Sequence, residues 1–382
     1  MSESLLGGRI HTPPTTEETI SCAVRPRKDR PVEETTVEQT EDGAFRRQRN
    51  AFTARFGTKP GEVKPEFGRY HVLGAIGCGW NRRQRKVIRL LGLDKAFPVE
   101  VIYGRDRDGW KLRNTPGSVG EKFGFTRLNE FYGLTDPTYS ARGTSPSVID
   151  AETGHVVTNN YHLLSLDLET AWKPFQKADA PDLYPANLRG EIDLLNQQIF
   201  DDVNNGTYKI LFATNVRAAE AAYTVFKARL TDYDFRLASR RYLFGPQLTD
   251  SDVRLFQTLE SFEHSYRPGI VETFGTEDII HVWDFPNVWA YARDLFQTPG
   301  FIDDEELYGL GYIPDEEGKY ISQDLVSHAS VKDSAARRDE YQRWLEPSGR
   351  ESLGGSPYYS GPGGGGSYEL WDFGRSVDPY RG

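Results

Sequence analysis

Apolar and β-branched residues alternate with other types over residues 68–76, GRYHVLGAI, a period-two pattern that predicts a strand. The next apolar positions, Val87, Leu90 and Leu91, recur at helical spacing in NRRQRKVIRLLGL, and Gly92 marks the end of that helix. FPVEVIY, residues 97–103, predicts a second strand, so the three pieces form a βαβ unit with Cys78 at the N-terminus of its helix. The stretch RDRDGWKLRNTPGSVGEKFGFTR is too glycine-rich and charged to predict a core element. A short helix follows at LNEFYGL, and GTSPSVIDAETGHVV reads as two strands joined by a turn at Glu152, Thr153 and Gly154. Asn159 and Asn160 are N-cap candidates for a helix over YHLLSLDLE. The order β-α-β-α-β-β-α, with a proline opening the third strand, predicts a thioredoxin-like domain with a mixed sheet over residues 46–172.

Beyond Asp182 the period changes to 3.6. LRGEIDLLNQQIFDDVNN, VRAAEAAYTVFKARLTDYDFRL, SDVRLFQTLESFEH and NVWAYARDLFQ carry apolar residues at i, i+3 and i+4, which predicts an all-α domain over residues 183–312. Thr249 and Asp252 have the spacing of a capping box. Residues 1–45, rich in Thr, Glu and Pro, predict a disordered tail, because they bury too little apolar area to offset chain entropy. Residues 313–382 contain GPGGGG and predict a flexible extension.

Composition removes several function classes. The formal charge of −10 argues against nucleic acid as a partner, since a phosphate-binding surface needs a basic footprint. Mean hydropathy is −0.60 and no apolar run approaches the roughly 20 residues of a membrane helix. MSESLLGGRIHTPPTTEE lacks the basic start and apolar stretch of a secretory signal, so a soluble, cytoplasmic protein is expected, with no membrane partner. The seven histidines show no i, i+4 pairing, and two cysteines are too few for a cysteine metal site, so no metal is expected.

Candidate chemistry therefore centres on Cys78 as a lone thiol. A helix N-terminus stabilises a thiolate, and Arg82, Arg83 and Arg85 add positive charge within two turns. The alternative is a small buried hydrophobe ahead of an ordinary solvated arginine face, and the local sequence leaves both open. Cys78 is followed by Gly79, Trp80 and Asn81, so it has no Cys-X-X-Cys partner. Any disulfide formed there involves a small thiol or a substrate and is released by a second thiol.

The two-domain plan with a helix-start cysteine resembles the glutathione transferase superfamily, and specifically its xi class, the glutathionyl-hydroquinone reductases. The matching stretches are FRRQRNAF, FGRYHVLGAIGCGW, the DGW at 108–110, DPTYSARGTSPSVID, DLYPANLRGEIDLLNQQIFDDVNNGTYKILFATN and RYLFGPQLTDSDVRLFQTLESFEHSY, spanning roughly residues 44–313. The resemblance implies a low-molecular-weight thiol as co-substrate, an aromatic or quinone-type substrate and a homodimer. It implies that Cys78 is the nucleophile, that Trp80, Trp110 and Arg142 embrace the thiol, and that the backbone of Ser145, before a cis Pro146, pairs with the thiol's cysteinyl part. It also implies that Tyr208, Tyr266 and Tyr312 line the aromatic pocket and donate to phenolic oxygens; from local sequence alone each tyrosine reads equally as a core aromatic.

Two departures from the family pattern bear on function. Cys-Pro-Trp becomes Cys78-Gly79-Trp80, which loosens the first helical turn. The Ser-Asn-Glu-Ser that reads the γ-glutamyl zwitterion becomes Thr158-Asn159-Asn160-Tyr161. Asn160 removes the negative charge and Tyr161 fills space, which predicts weakening of glutathione by about a hundredfold or more. Arginine outnumbers lysine and the single methionine is the first residue, a bias of GC-rich genomes, some of whose owners use mycothiol, a cysteine conjugated to a sugar-inositol. Three readings follow: a thiol-dependent oxidoreductase whose co-substrate is glutathione or mycothiol; a transferase of a secondary-metabolite or xenobiotic pathway using a non-glutathione thiol such as mycothiol; and a non-catalytic binding protein.

Overall fold

The alternating stretch forms β1 (Tyr70–Ala75), the central strand in the computed structural model, which describes residues 40–106, 109–310 and 334–355. Among these residues the sheet has five strands in the order β3-β2-β1-β4-β5. β2 (Val99–Asp106) runs parallel to β1, and β4 (Ser147–Asp150) pairs antiparallel on its other side. β3 (Gly109–Leu112) and β5 (Val156–Thr158) are antiparallel edges. The helices α1 (Gly79–Leu91), α2 (Val119–Phe123), α3 (Leu128–Thr135) and α4 (Tyr161–Thr170) complete a thioredoxin-like unit.

The loop from β1 to α1 is shaped by one close approach. A Cβ on Gly74 would lie 1.8 Å from the Asn81 side-chain oxygen, so glycine there lets Asn81 turn back and donate to the Ala75 carbonyl at 3.1 Å. α1 ends as expected at Gly92, with φ 69°, where the Leu93 N–H donates to the Ile88 carbonyl at 2.9 Å.

The expectation of no core element in the glycine-rich stretch fails. β3 and α2 form within it because Trp110, Leu112 and Val119 bury against Leu128 and Phe131 of α3. The asparagines before α4 also behave differently from caps. Neither makes a side-chain cap bond; instead the Asn159 side-chain oxygen accepts from the Phe52 N–H at 3.0 Å, and Asn50 donates to the Asn160 side chain at 3.3 Å. Both serve the segment that precedes the sheet.

The all-α unit follows as α5 (Arg189–Gln198), α6 (Gly206–Leu211), α7 (Val216–Leu237), α8 (Asp250–Leu259), α9 (Arg267–Phe274), α10 (Pro286–Phe296) and α11 (Asp304–Gly309). α8 starts on the expected capping box, in which the buried Asp252 accepts from the Thr249 N–H at 2.8 Å and its hydroxyl at 2.9 Å. Single π-turns at Ile199–Asn204 and Phe262–Tyr266 interrupt the helices where they approach the sheet unit. No helix among the described residues is long and apolar enough to cross a membrane.

Of the two chain ends expected to be disordered or flexible, residues 1–39, 311–333 and 356–382 lie outside the described residues, and the parts that are described are placed. Residues 40–45 are placed against the helices, with the Thr214 N–H donating to the Gly43 carbonyl at 2.9 Å and Phe45 only 8% exposed. Residues 334–355, expected to be part of a flexible extension, include α12 (Ser334–Trp344), whose Trp344 is buried with ring centroids 4.6 Å from Trp289 and 4.8 Å from Phe296. Tyr341 adds a ring contact with Phe296 at 6.3 Å and Glu340 pairs with His264 at 3.2 Å, so buried rings and polar contacts together anchor this polar helix.

The basic face of α1 is the seam between the two units. Arg82 meets Glu260 at 2.9 Å, Lys86 meets Glu260 at 2.7 Å and Glu306 at 3.4 Å, and Arg89 meets Glu306 at 2.6 Å. Arg85 reaches Asp303 and Glu305 at 3.0 and 2.6 Å. Burial alone would raise the Glu306 pKa, but Arg89, Lys86, Arg85 and Arg82 hold it down to about 2. Neither a solvated arginine face nor charges reserved for the thiol describes this helix: Arg82, Arg85, Lys86 and Arg89 are paired with carboxylates of the other unit.

Candidate active site

Cys78 occupies the N-cap position of α1 and is 1% exposed. Its carbonyl accepts from the Asn81 and Arg82 N–H groups at 2.9 Å each, so the first helical turn closes although Gly79 stands where a proline would pre-order it. The thiol donates to the Ser145 carbonyl at 3.5 Å, and the Ser145 hydroxyl accepts from the Ala75 N–H at 2.9 Å. The Ser145–Pro146 peptide is cis. β1, α1 and the turn before β4 thus meet at the sulfur, at the C-terminal end of the central strand.

A cavity opens on this point, lined by Cys78, Trp80, Trp110, Arg142, Ser145 and Tyr161 from the sequence-derived set, and by Arg47, Gln48, Asn50 and Thr144. It encloses about 30 Å³, room for about one water. Trp80 packs tilted against Tyr161 at 4.7 Å between centroids and approaches Phe200 at 5.8 Å and Tyr208 at 6.1 Å. Tyr208 in turn lies 6.0 Å from Tyr266, so these two tyrosines share one wall. Tyr312 lies outside the described residues. Pro146 is buried, and Asn160, which is not among the lining residues, accepts from Asn50, which is.

Tyr161 takes up the space at the start of α4. It is 5% exposed, and its backbone carbonyl accepts from Gln84 at 3.0 Å and from Arg83. Burial raises the Tyr161 pKa, while Arg47, Arg83 and Arg142 pull it the other way. Arg83 itself is fully buried, and burial together with Arg254 brings its pKa down to about 9. His162, packed 4.3 Å from Phe200, is held by burial and by Arg83 down to about 2, so its imidazole is neutral and forms part of the aromatic wall.

Apart from Thr144, the lining residues that sequence reasoning did not assign are those of the N-terminal strap. Residues 45–50 cross the mouth of the cavity, with Gln48 donating to Tyr139 at 3.3 Å and to the Arg142 carbonyl at 3.4 Å. Arg47 stands over Tyr208 and Trp80, 4.2 and 4.9 Å from their centroids, and donates to Asn205 at 3.0 Å. FRRQRNAF was legible as a matching stretch, but its side-chain hydrogen-bond partners lie more than 90 positions away along the chain.

No family model matches the sequence. Curated relatives do: glutathione S-transferase omega-like 2 of Schizosaccharomyces pombe is 32% identical over 269 residues, 69% of this chain and 85% of the relative. Glutathionyl-hydroquinone reductase YqjG of Escherichia coli is also 32% identical, over 69% of this chain and 80% of its own. The chain is an enzyme of the xi-class glutathione transferase family. Solved structures agree on the glutathione transferase fold. A glutathione transferase from Gordonia bronchialis superposes with a TM-score of 0.65 at 34% identity, covering 78% of this chain and 88% of that one. The glutathione-bound YqjG structure matches with a TM-score of 0.63 at 28% identity, covering 81% and 98% of the two chains.

Proposed function

We propose that the protein is a thiol-dependent reductase that removes a thiol adduct from a quinone-type aromatic substrate, with Cys78 as its nucleophile. The observation that carries this reading is the placement of the Cys78 thiol at the start of α1, beside the Ser145 carbonyl and facing an aromatic wall that includes Trp80 and Tyr208. The names of the relatives in Escherichia coli and Sphingobium chlorophenolicum, both glutathionyl-hydroquinone reductases, support it.

In this reaction the Cys78 thiolate attacks the sulfur of the aryl thioether, forming an S–S bond as the C–S bond breaks. The electron pair of that bond passes to the ring carbon, which takes a proton and leaves as the hydroquinone. A second small thiol then attacks the mixed disulfide, departs as the symmetrical disulfide and restores Cys78. Tyr208 and Tyr266 are the groups that would donate to the phenolic oxygens, Trp110 and Arg142 those that hold the thiol half, and Asn160 and Tyr161 those at its far end.

The finer proposal concerns the thiol, which we read as one without a γ-glutamyl zwitterion, such as mycothiol. Asn160 carries no charge to pair an ammonium and is engaged with Asn50, while the Tyr161 ring packs tilted against Trp80. Replacing both, Asn160→Glu with Tyr161→Ser, is expected to raise the rate at which Cys78 attacks micromolar glutathione disulfide, forming the mixed disulfide and releasing one glutathione, by about a hundredfold, the worth of two charge-assisted hydrogen bonds. Intact-mass kinetics with the disulfides of glutathione and of mycothiol measure it. Efficient glutathionylation of the unchanged protein by micromolar glutathione disulfide would overturn this choice of thiol while leaving the reductase reading standing.

A further inference from the structure

Thr144 lines the Cys78 cavity, and its hydroxyl belongs to a buried chain of hydrogen bonds to which the reductase reading assigns no role. The chain centres on Tyr132 of α3, which is fully buried. Its hydroxyl lies 2.6 Å from the Ser147 hydroxyl and 3.2 Å from that of Thr144, and it accepts from the Thr144 N–H at 3.2 Å. Each hydroxyl has one proton to give, so the ends of the chain settle its direction. At one end the Thr144 carbonyl, which has no proton, accepts from Ser147 at 2.6 Å, so Ser147 receives its own bond from Tyr132. At the other end the Asn159 side-chain oxygen is engaged by the Phe52 N–H at 3.0 Å, and its amide donates to the Thr144 hydroxyl at 2.9 Å. Thr144 therefore donates to Tyr132. Burial raises the Tyr132 pKa, so the phenol keeps the proton that this order requires.

The chain closes on both sides of Ser145. Thr144 and Ser147 flank Ser145 and Pro146, and Ser147 is fixed in β4, where it pairs with Leu73 of β1. α3 holds the same segment a second time, since the Asn129 side-chain oxygen accepts from the Gly143 N–H at 2.8 Å. Between these anchors the Ser145 hydroxyl accepts from the Ala75 N–H at 2.9 Å and its carbonyl from the Cys78 thiol at 3.5 Å. The position of that carbonyl against the sulfur is thus set from α3.

When Cys78 forms a disulfide it gives up the proton it donates there, and the Ser145 carbonyl is open to another donor. A thiol built on cysteine carries its amide N–H a short reach from its sulfur, on one side of a chiral carbon. Joined to Cys78, one enantiomer presents that N–H to the carbonyl and the other turns it away.

We propose, building on the reading of Cys78 as the reacting thiol, that Tyr132 is a positioning residue for the thiol half of the reaction. Its hydroxyl holds the turn at residues 144–147 so that the Ser145 backbone reads the handed cysteinyl part of the incoming thiol. Losing that hydroxyl leaves the Ser147 hydroxyl and the N–H and hydroxyl of Thr144 without the partner they share, and the turn rearranges to satisfy them. The sulfur keeps its place, because α1 carries it.

The two enantiomers of the disulfide of N-acetylcysteine methylamide provide the test, since an achiral thiol reacts with both at the same rate. In each, the Cys78 thiolate attacks one sulfur, the S–S bond breaks, a new mixed disulfide forms and one N-acetylcysteine methylamide leaves as its thiolate. Second-order rates are measured by intact mass on the full chain carrying Cys22→Ser. The L form is expected to react about tenfold faster than the D form, which corresponds to one hydrogen bond in a dry site, and the ratio is expected to fall to within about threefold of unity in Tyr132→Phe. The rate with 4,4′-dithiodipyridine, which has no cysteinyl group, stays within about twofold, as expected when only a binding contact is lost. Ser147→Ala removes the acceptor of the Tyr132 proton and lowers the ratio in the same way, so either variant decides if the other does not fold. A ratio near unity in the unchanged site, or one that the substitutions leave as it was, overturns the role of Tyr132 while Cys78 remains reactive. A dithiodipyridine rate that falls as far as the L rate marks a general loss of structure and overturns it as well. Failure of dithiodipyridine to label Cys78 in the unchanged site overturns the nucleophile reading and this inference with it.

Discussion

Replacing Cys78 with serine is expected to lower turnover of a thiol–hydroquinone adduct by about a thousandfold or more while leaving the fold intact. A serine hydroxyl is a weak nucleophile unless a neighbouring base takes its proton. The only imidazole against the aromatic wall among the described residues is that of His162, which packs on Tyr161 and Phe200. The substitution is nearly isosteric, and the serine hydroxyl retains a donor for the Ser145 carbonyl that the thiol now engages at 3.5 Å. The loss therefore falls on kcat, with the thermal midpoint within a few degrees of the parent. Losses of this size from deleting a nucleophile are usual, the residue acting as one part of a unit. Steady-state kinetics of the variant with both glutathionyl and mycothiyl adducts check it, and turnover within tenfold of the parent would remove Cys78 from the chemistry.

The second large effect belongs to the seam. Glu260→Gln leaves Arg82, fully buried, without its carboxylate and takes from Lys86 the nearer of its two partners, at 2.7 Å. Breaking a buried pair by deleting one partner costs about 3–5 kcal/mol, because an uncompensated charge remains in a dry environment. Urea unfolding should show a loss of that size, insensitive to added salt because the pair is screened from solvent. Replacing Arg82 and Glu260 together by methionine should recover much of it, since two apolar side chains need no compensation. A loss below about 1 kcal/mol for Glu260→Gln alone would mean that the seam is wetter than the described packing.

These two residues also show where sequence reasoning stopped. The strand at Tyr70–Ala75, the helix behind Cys78 and the capping box at Thr249 and Asp252 are written in local pattern, and they form as expected. The partners of the α1 cations are not local: Glu260 lies 178 residues from Arg82, and Glu306 lies 220 from Lys86. A run of arginines on one helix face reads the same whether water or a distant carboxylate receives it. The short strand β3 was hidden for a related reason, since Trp110 and Leu112 are two apolar positions among charged and glycine neighbours and become a core edge only against Leu128 and Phe131.

The candidate site divides in the same way. Cys78 is singled out by its place at a helix start, and Ser145, Trp80 and Trp110 by the family resemblance; the fold brings them to one cavity with Arg142 and Tyr161. Arg47, Gln48 and Asn50 were not assigned, because a polar strap has no periodicity and its place over the cavity is set by hydrogen bonds to Tyr139, Asn160 and Asn205. Asn159 and Asn160, read as helix caps, turn out to hold that strap, a role that a residue type favoured in both caps and turns does not distinguish in sequence.

The central claim is tested most directly by a single turnover. A stoichiometric amount of a thiol–hydroquinone adduct is mixed with the reduced Cys22→Ser chain in the absence of free thiol, and the protein is quenched in acid for intact mass while the released hydroquinone is quantified. The account predicts one hydroquinone released per chain, together with a mass gain of one thiol moiety located on Cys78 by peptide mapping and reversed by added thiol. Hydroquinone released with no mass gain at Cys78, or no release at all from either a glutathionyl or a mycothiyl adduct, would contradict it.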